Sequence, residues 1–157
     1  MFVVSCKTET ELINTTKSEK FTRSFHEGLR LKLLGNYDKA LELFNTCLKE
    51  EPNDDASHFA IAQISLIKGN LEQAKRHTTQ AAALDHSNIF YQIELGYTYR
   101  ETGEYEKSAN VFEEILNERP TNSNYYFESA LSWELSGNVK KAISLLNMLE
   151  ESVGMRV

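Results

Sequence analysis

Residues 35–69 read GNYDKALELFNTCLKEEPNDDASHFAIAQISLIKG, a stretch that begins and ends on glycine. Glycine returns at the same interval twice more, so that Gly35, Gly69, Gly103 and Gly137 are each separated by 34 residues. A period of this size is the mark of a stack of supersecondary units. Other positions recur in phase with it. A small residue precedes each glycine by seven (Gly28, Ala62, Gly96, Ala130), and another follows it by five (Ala40, Ala74, Ser108, Ala142). An apolar residue follows by two (Tyr37, Leu71, Tyr105, Val139), and Phe44, Thr78, Phe112 and Leu146 follow by nine. Pro52 and Pro120 close two of the units.

Each period carries two runs in which apolar residues fall three and four apart, the helical spacing. In 38–50, Ala40, Leu41, Leu43, Phe44, Cys47 and Leu48 form one stripe. The periodic glycines suit the position after a helix, where a left-handed backbone disfavours a Cβ. Asn53, Asp54, Asn88 and Asn122 stand where side chains can cap the free N–H groups of a following helix. A single helical hairpin cannot bury its apolar face, so neighbouring hairpins must stack. The pattern predicts an all-α chain without strands.

These residues resemble the tetratricopeptide repeat (TPR) family, whose unit has small residues near its positions 8 and 20, an aromatic near 24 and proline near 32. The resemblance implies a right-handed solenoid of four helix-turn-helix repeats at 21–54, 55–88, 89–122 and 123–156, with a flexible tether over 1–20. Thr78, His86 and Gly154 depart from the family pattern. The family also implies function through surfaces. The first helix of each unit lines a concave groove, which here places Phe25, Phe59, Ile93 and Phe127 in one row. Leu29, Gln63, Tyr97 and Leu131 form a second row, and Lys32, Leu66, Arg100 and Glu134 a third. Such a ladder suits an extended peptide or an amphipathic helix. The alternative is that Phe25, Phe59, Ile93 and Phe127 pack between adjacent units or against a following segment. A clamp for acidic chain termini, as in chaperone-binding family members, is not expected. Its basic and amide positions correspond to Phe25 and Leu29, then Ala60 or Gln63, then Phe90 and Glu94.

No catalytic pattern emerges. His26, His58, His77 and His86 form no i, i+4 pair and no H-E-x-x-H motif. No nucleophile elbow, phosphate loop or C-x-x-C pair occurs, and Glu113-Glu114 and Glu150-Glu151 read as solvated helix faces. The expectation is a non-enzyme without metal or cofactor. The chain has 157 residues, 41% of them hydrophobic, and a net charge of −6. It lacks the basic stripe of a nucleic-acid binder, and no run approaches the ~18 apolar residues of a membrane span.

Two ends carry further signals. Residues 7–20 are polar and threonine-rich, the composition of a flexible tether. Before them, Val3-Val4-Ser5-Cys6 resembles the lipobox of bacterial lipoproteins, which implies a lipid anchor on Cys6 and a true start upstream of Met1. The alternative is an ordinary cysteine in a cytoplasmic protein. Cys47 falls inside a helical stripe and reads as a buried small hydrophobe. At the other end a final helix is expected over about 140–151, rich in Ile143, Leu145, Leu146, Met148 and Leu149. The last unit of a solenoid needs a polar cap, and none follows. The chain therefore continues as a longer repeat protein, dimerises through Ile143, Leu146 and Leu149, or meets a partner there. The run 145–154 (LLNMLEESVG) resembles the junction after the first units of longer TPR lipoproteins from Bacteroidetes-type bacteria.

Together these features predict a non-catalytic protein-interaction scaffold, tethered in a bacterial cell envelope, that holds a protein or peptide in an apolar groove. A cytoplasmic adaptor and a self-associating assembly subunit are the alternatives.

Overall fold

The computed structural model describes residues 9–120 and 122–153. Eight helices follow one another: α1 (Glu9–Leu33), α2 (Tyr37–Glu50), α3 (Asp55–Ile67), α4 (Leu71–Leu84), α5 (Ile89–Glu101), α6 (Tyr105–Glu118), α7 (Ser123–Leu135) and α8 (Val139–Val153). Among the described residues there is no strand. The helices pair as four hairpins, α1/α2 to α7/α8, and each hairpin packs on the next.

The periodic glycine closes the first helix of every hairpin. Gly35, Gly69, Gly103 and Gly137 have φ between 72° and 86°. The Gly35 N–H donates to Lys32 O at 3.0 Å and the Asn36 N–H to Leu31 O at 2.9 Å. This double bond pattern is a Schellman motif, and it satisfies carbonyls that a helix end otherwise leaves free. It recurs at Gly69/Asn70, Gly103/Glu104 and Gly137/Asn138. At the helix starts, Asp54, Asn88 and Asn122 accept the N–H groups of Ser57, Phe90 and Asn124. Asn53 makes no cap; Asp54 takes the position expected for the pair. Asn70 caps α4 through the Gln73 N–H.

In the first and third hairpins a glycine of the first helix faces a phenylalanine of the second. An added Cβ on Gly28 would lie 3.0 Å from the Phe44 ring, and one on Gly96 would lie 2.8 Å from the Phe112 ring. In the second and fourth hairpins the equivalent pairs are Ala62 with Thr78 and Ala130 with Leu146. Glycine thus stands where the facing residue is phenylalanine, and alanine where it is smaller. This conserves volume across a close-packed interior.

The core is a row of three clusters along the stack. The first centres on Ala40, Phe44, Ala60, Ile61 and Ile64. The second includes Ala81, Tyr91, Leu95, Phe112 and Ile115. The third contains Ala109, Leu116, Tyr126, Ala130, Trp133, Leu145 and Leu149. Each draws residues from adjacent hairpins, so the units are stabilised by contact with neighbours. Buried hydroxyls cross the same seams. Thr78 Oγ1 donates to Thr98 Oγ1 at 3.3 Å, Ser108 and Ser132 hydroxyls meet at 2.9 Å, and Ser129 Oγ donates to Ala109 O at 3.1 Å. Cys47 is fully buried, as expected, and burial pushes its thiol pKa up.

The N-terminal boundary corrects the sequence reading. Residues 9–20, expected as a flexible tether, are the first turns of α1. No proline or glycine interrupts 7–27, and extending a helix that already exists costs far less than nucleating one. Lys20 also pairs with Glu50 of α2 at 2.7 Å, which ties this extension to the first hairpin. Residues 1–8, with the lipobox-like motif and Cys6, lie outside the described residues.

Candidate functional site: the concave face

The first helices α1, α3, α5 and α7 carry the ladder that the family resemblance implied. Its members fare differently. Phe25 is half-buried against Phe44, with ring centroids 5.7 Å apart, and Leu29 packs on the same cluster. Phe59 is half-buried against Tyr91 of the next unit at 4.7 Å. Ile93 and Tyr97 pack on the second core cluster, with Tyr97 edge-on to Phe112 at 5.4 Å. In the first three units, therefore, the apolar ladder is spent largely on packing within and between hairpins. Phe127 and Leu131 of α7 remain 55% and 43% exposed. Phe90, which sequence reasoning had named only as a departure from the acidic-terminus clamp, is 70% exposed. Helical phase would have exposed it, since Phe90 lies one turn before Glu94 on α5.

Polar residues of the face form two clusters. Arg100 Nη1 donates to Glu128 Oε2 at 2.5 Å, and Tyr97 Oη donates to Glu128 Oε1 at 3.1 Å. The Arg100 guanidinium also lies 5.1 Å from the Tyr97 ring centroid. Arg100, expected as a partner-binding residue, is thus already neutralised from within the protein. Further along, Lys32 donates to the side-chain oxygen of Gln63. Burial lowers the Lys32 pKa, partly opposed by the negative charge of Glu94. Burial likewise raises the Glu94 pKa, partly opposed by Lys32. Leu66 is half-buried.

The outer face of the last hairpin differs from the expected interface. Leu149 is buried and Leu146 partly buried in the third core cluster, so neither points outward. Ile143 is 53% exposed, and Leu135 and Val139 are exposed as well. The helical phase of α8 separates these sets: Leu145 and Leu149 lie one turn apart on the inner face.

One histidine pair escaped the sequence pattern. His58 Nδ1 and His77 Nδ1 meet at 2.9 Å, between α3 and α4, and His58 Nε2 lies 3.1 Å from Pro52 O. A carbonyl only accepts, so His58 carries its proton on Nε2; its Nδ1 then accepts from His77 Nδ1–H in the neutral pair. Burial, then the nearby His58 and Arg76, push the His77 pKa down to about 4. The pair is 19 residues apart, a separation that a search for ligands on one helix does not sample. No group of three or more His, Cys, Asp or Glu side chains suited to a metal occurs among the described residues. Nor is any described helix long and apolar enough to cross a membrane. Between α4 and α6, Glu104 bridges Lys107 at 2.5 Å and Lys75 at 2.9 Å. These two partners bring its pKa down to about 2.

Comparison with known proteins identifies the class. Two tetratricopeptide-repeat families match, one over residues 32–92 and the other over 93–153. The chain belongs to the tetratricopeptide repeat family, and its fold is an all-α TPR solenoid. Members of this family act as protein-interaction scaffolds, and that coarse role fits this chain. Among curated proteins it is similar to lipopolysaccharide assembly protein B of Escherichia coli strains K12 and O157:H7, with 26% identity over 106 residues. That match covers 65% of this chain and 27% of the relative, so the chain spans about a quarter of the length of the curated relatives it matches. Among solved structures it is similar in fold to a MamA structure labelled AMB-1, with a TM-score of 0.74 and 18% identity over 85% of this chain and 73% of the other. A MamA fragment from Desulfovibrio magneticus RS-1 aligns with a TM-score of 0.70 and 17% identity, covering 87% and 78%.

Proposed function

We propose that this chain is a non-catalytic scaffold that takes a segment of a protein partner on its concave face. The observation that carries this reading is the exposure of Phe90, Phe127 and Leu131 on the first helices. Large apolar side chains held in the open on rigid helices favour an interaction surface over a purely structural one. The half-buried Phe25, Leu29, Phe59, Gln63, Leu66, Ile93 and Tyr97 form the floor, and the exposed trio supplies contact. A photo-cross-linking side chain at position 131 tests this in the native source. A discrete cross-linked partner, lost on Phe90→Ala/Phe127→Ala, supports the groove. The same products from a probe at Glu114, which is exposed on α6, would refute it.

The same reading places the scaffold at a bacterial cell envelope, held by a lipid on Cys6. Its support is the Val3-Val4-Ser5-Cys6 motif and the similarity to a protein named for lipopolysaccharide assembly. Several acyl chains on one cysteine suffice for stable anchoring, because each buried CH₂ contributes about 0.8 kcal/mol. Intact mass of the membrane and soluble fractions decides the matter: a diacylglyceryl mass on Cys6 supports the anchor. An unmodified soluble chain beginning at Met1 favours a cytoplasmic adaptor instead.

The exposed Leu135, Val139 and Ile143 favour a second reading, in which the chain joins a further repeat or a second copy through its last hairpin. Sedimentation of wild type and Ile143→Glu tests for self-association. A monomer at all concentrations would remove the second copy.

A further inference from the structure

Repetition lets one unit serve as the control for the next. Glu94 and Glu128 are 34 residues apart, at the same place in the third and fourth repeats. Glu128 is fully served by the repeat before it: Arg100 and Tyr97 both donate to its carboxylate. One repeat earlier the residues equivalent to Arg100 and Tyr97 are Leu66 and Gln63. Leu66 has no charge to offer, and Gln63, whose side-chain oxygen accepts from Lys32, makes no hydrogen bond from its amide nitrogen to Glu94. Among the described residues no donor hydrogen-bonds the Glu94 carboxylate, and Lys32 acts on it only through space. Glu94 is half-buried, so its charge has lost part of its hydration without the compensation that Glu128 receives. Leaving such a group unpaired is costly, and an incoming donor recovers that cost. One helical turn before it, on the same face of α5, stands the exposed Phe90.

The geometry points to a partner segment that is both basic and apolar: a lysine or arginine of the partner docks on Glu94 while an adjacent large apolar side chain covers Phe90. This inference rests on the concave-face reading above and specifies the chemistry of the occupant. The chain's net charge of −6 works in the same direction, since it draws cationic segments towards the protein.

Random dodecapeptides displayed on phage and selected on the whole chain provide the test, with wild type, Glu94→Gln and Leu66→Arg compared. Leu66→Arg installs the internal cation that Arg100 supplies to Glu128, so it occupies Glu94 from within. Circular dichroism checks that both variants fold, and Glu94→Gln keeps nearly the same shape should Leu66→Arg fail to fold. The wild-type pool becomes enriched in Arg or Lys next to large apolar residues. A synthesised binder from it loses about tenfold or more in affinity for either variant. Replacing its arginine by citrulline costs the same factor on wild type and little on Glu94→Gln. Binders that are neutral or acidic, or that bind Glu94→Gln as tightly as wild type, overturn the inference. The concave-face reading survives that outcome when the same binders are weakened by Phe90→Ala/Phe127→Ala. Absence of any enriched peptide, or binders indifferent to all four positions, overturns both.

Discussion

Gly96→Ala isolates the close approach that holds the third hairpin together. Glycine in a helix interior costs roughly 0.5–1 kcal/mol relative to alanine, so in an open setting this substitution stabilises. Here the new Cβ would stand 2.8 Å from two atoms of the Phe112 ring. That ring is fully buried. Tyr97 lies edge-on to it at 5.4 Å and Tyr125 stacks on it at 6.5 Å, so its movement is restricted on two sides. Overpacking of this kind costs about 1–3 kcal/mol. The net expectation is a loss of about 0.5–2 kcal/mol, or a fall in Tm of a few degrees for a domain of this size. Phe112→Leu alone removes buried volume and also destabilises, by about 1 kcal/mol or more. The double variant Gly96→Ala/Phe112→Leu recreates the Ala130/Leu146 pair of the fourth hairpin. It should be more stable than the sum of the singles predicts, by about 1 kcal/mol or more. Urea denaturation of the four chains closes the cycle. If Gly96→Ala raises stability by the full helix-propensity gain, or if the two substitutions are additive, the packing argument is wrong. Because Tyr97 lies against Phe112 and also donates to Glu128, a shifted ring should also loosen the concave face.

The remaining expectations concern pH, reactivity and the capping of turns. His77 has a folded pKa of about 4 against an ordinary value of 6.5, so the unfolded chain binds a proton first; the stability His77 confers is complete above about pH 6.5 and is lost as pH falls towards 4. Going from 6.5 to about 4 bounds the loss at about 3 kcal/mol, which solvent screening of the partly exposed ring lowers to about 2 kcal/mol; the loss should shrink in His77→Gln, as followed by denaturant melts across pH, and a slope unchanged in that variant would refute the assignment. Glu104, held near pKa 2 by Lys107 and Lys75, confers stability above about pH 4.5 that disappears as pH falls towards 2, and Glu104→Gln should remove that lower part of the profile. In a Cys6→Ser background the buried Cys47 should react with a thiol reagent only after unfolding, and rapid reaction of the native chain would contradict its packing. Gly69→Ala forces a Cβ onto a backbone with φ of 72° and should cost about 1 kcal/mol or more, although no neighbouring atom lies within 4 Å of the added carbon.

Much of the architecture was legible in the linear pattern. The interval between Gly35, Gly69, Gly103 and Gly137 set the repeat, and helical spacing set two helices per repeat. Backbone conformation and local hydrogen bonding are decided within a few residues, which is why the Schellman turns and the Asp54, Asn88 and Asn122 caps could be anticipated. The tether over 9–20 was misread for a related reason. Its polar composition says nothing about packing, while its lack of glycine and proline lets α1 extend.

The concave face was legible only in part. The family pattern named its rows, but which apolar residues stay available depends on contacts between units. Phe59 meets Tyr91 across 32 residues, whereas Phe127 is left open. The pairing of His58 with His77, and the contrast between a served Glu128 and an unserved Glu94, likewise join residues far apart in the chain. The sequence by itself determined the period, the helices and the turns, because those depend on local backbone energetics and on a hydrophobic stripe that repeats. The tertiary structure alone decided which side chains are spent in the seams and which stay exposed, because that depends on the reach of particular side chains across neighbouring units.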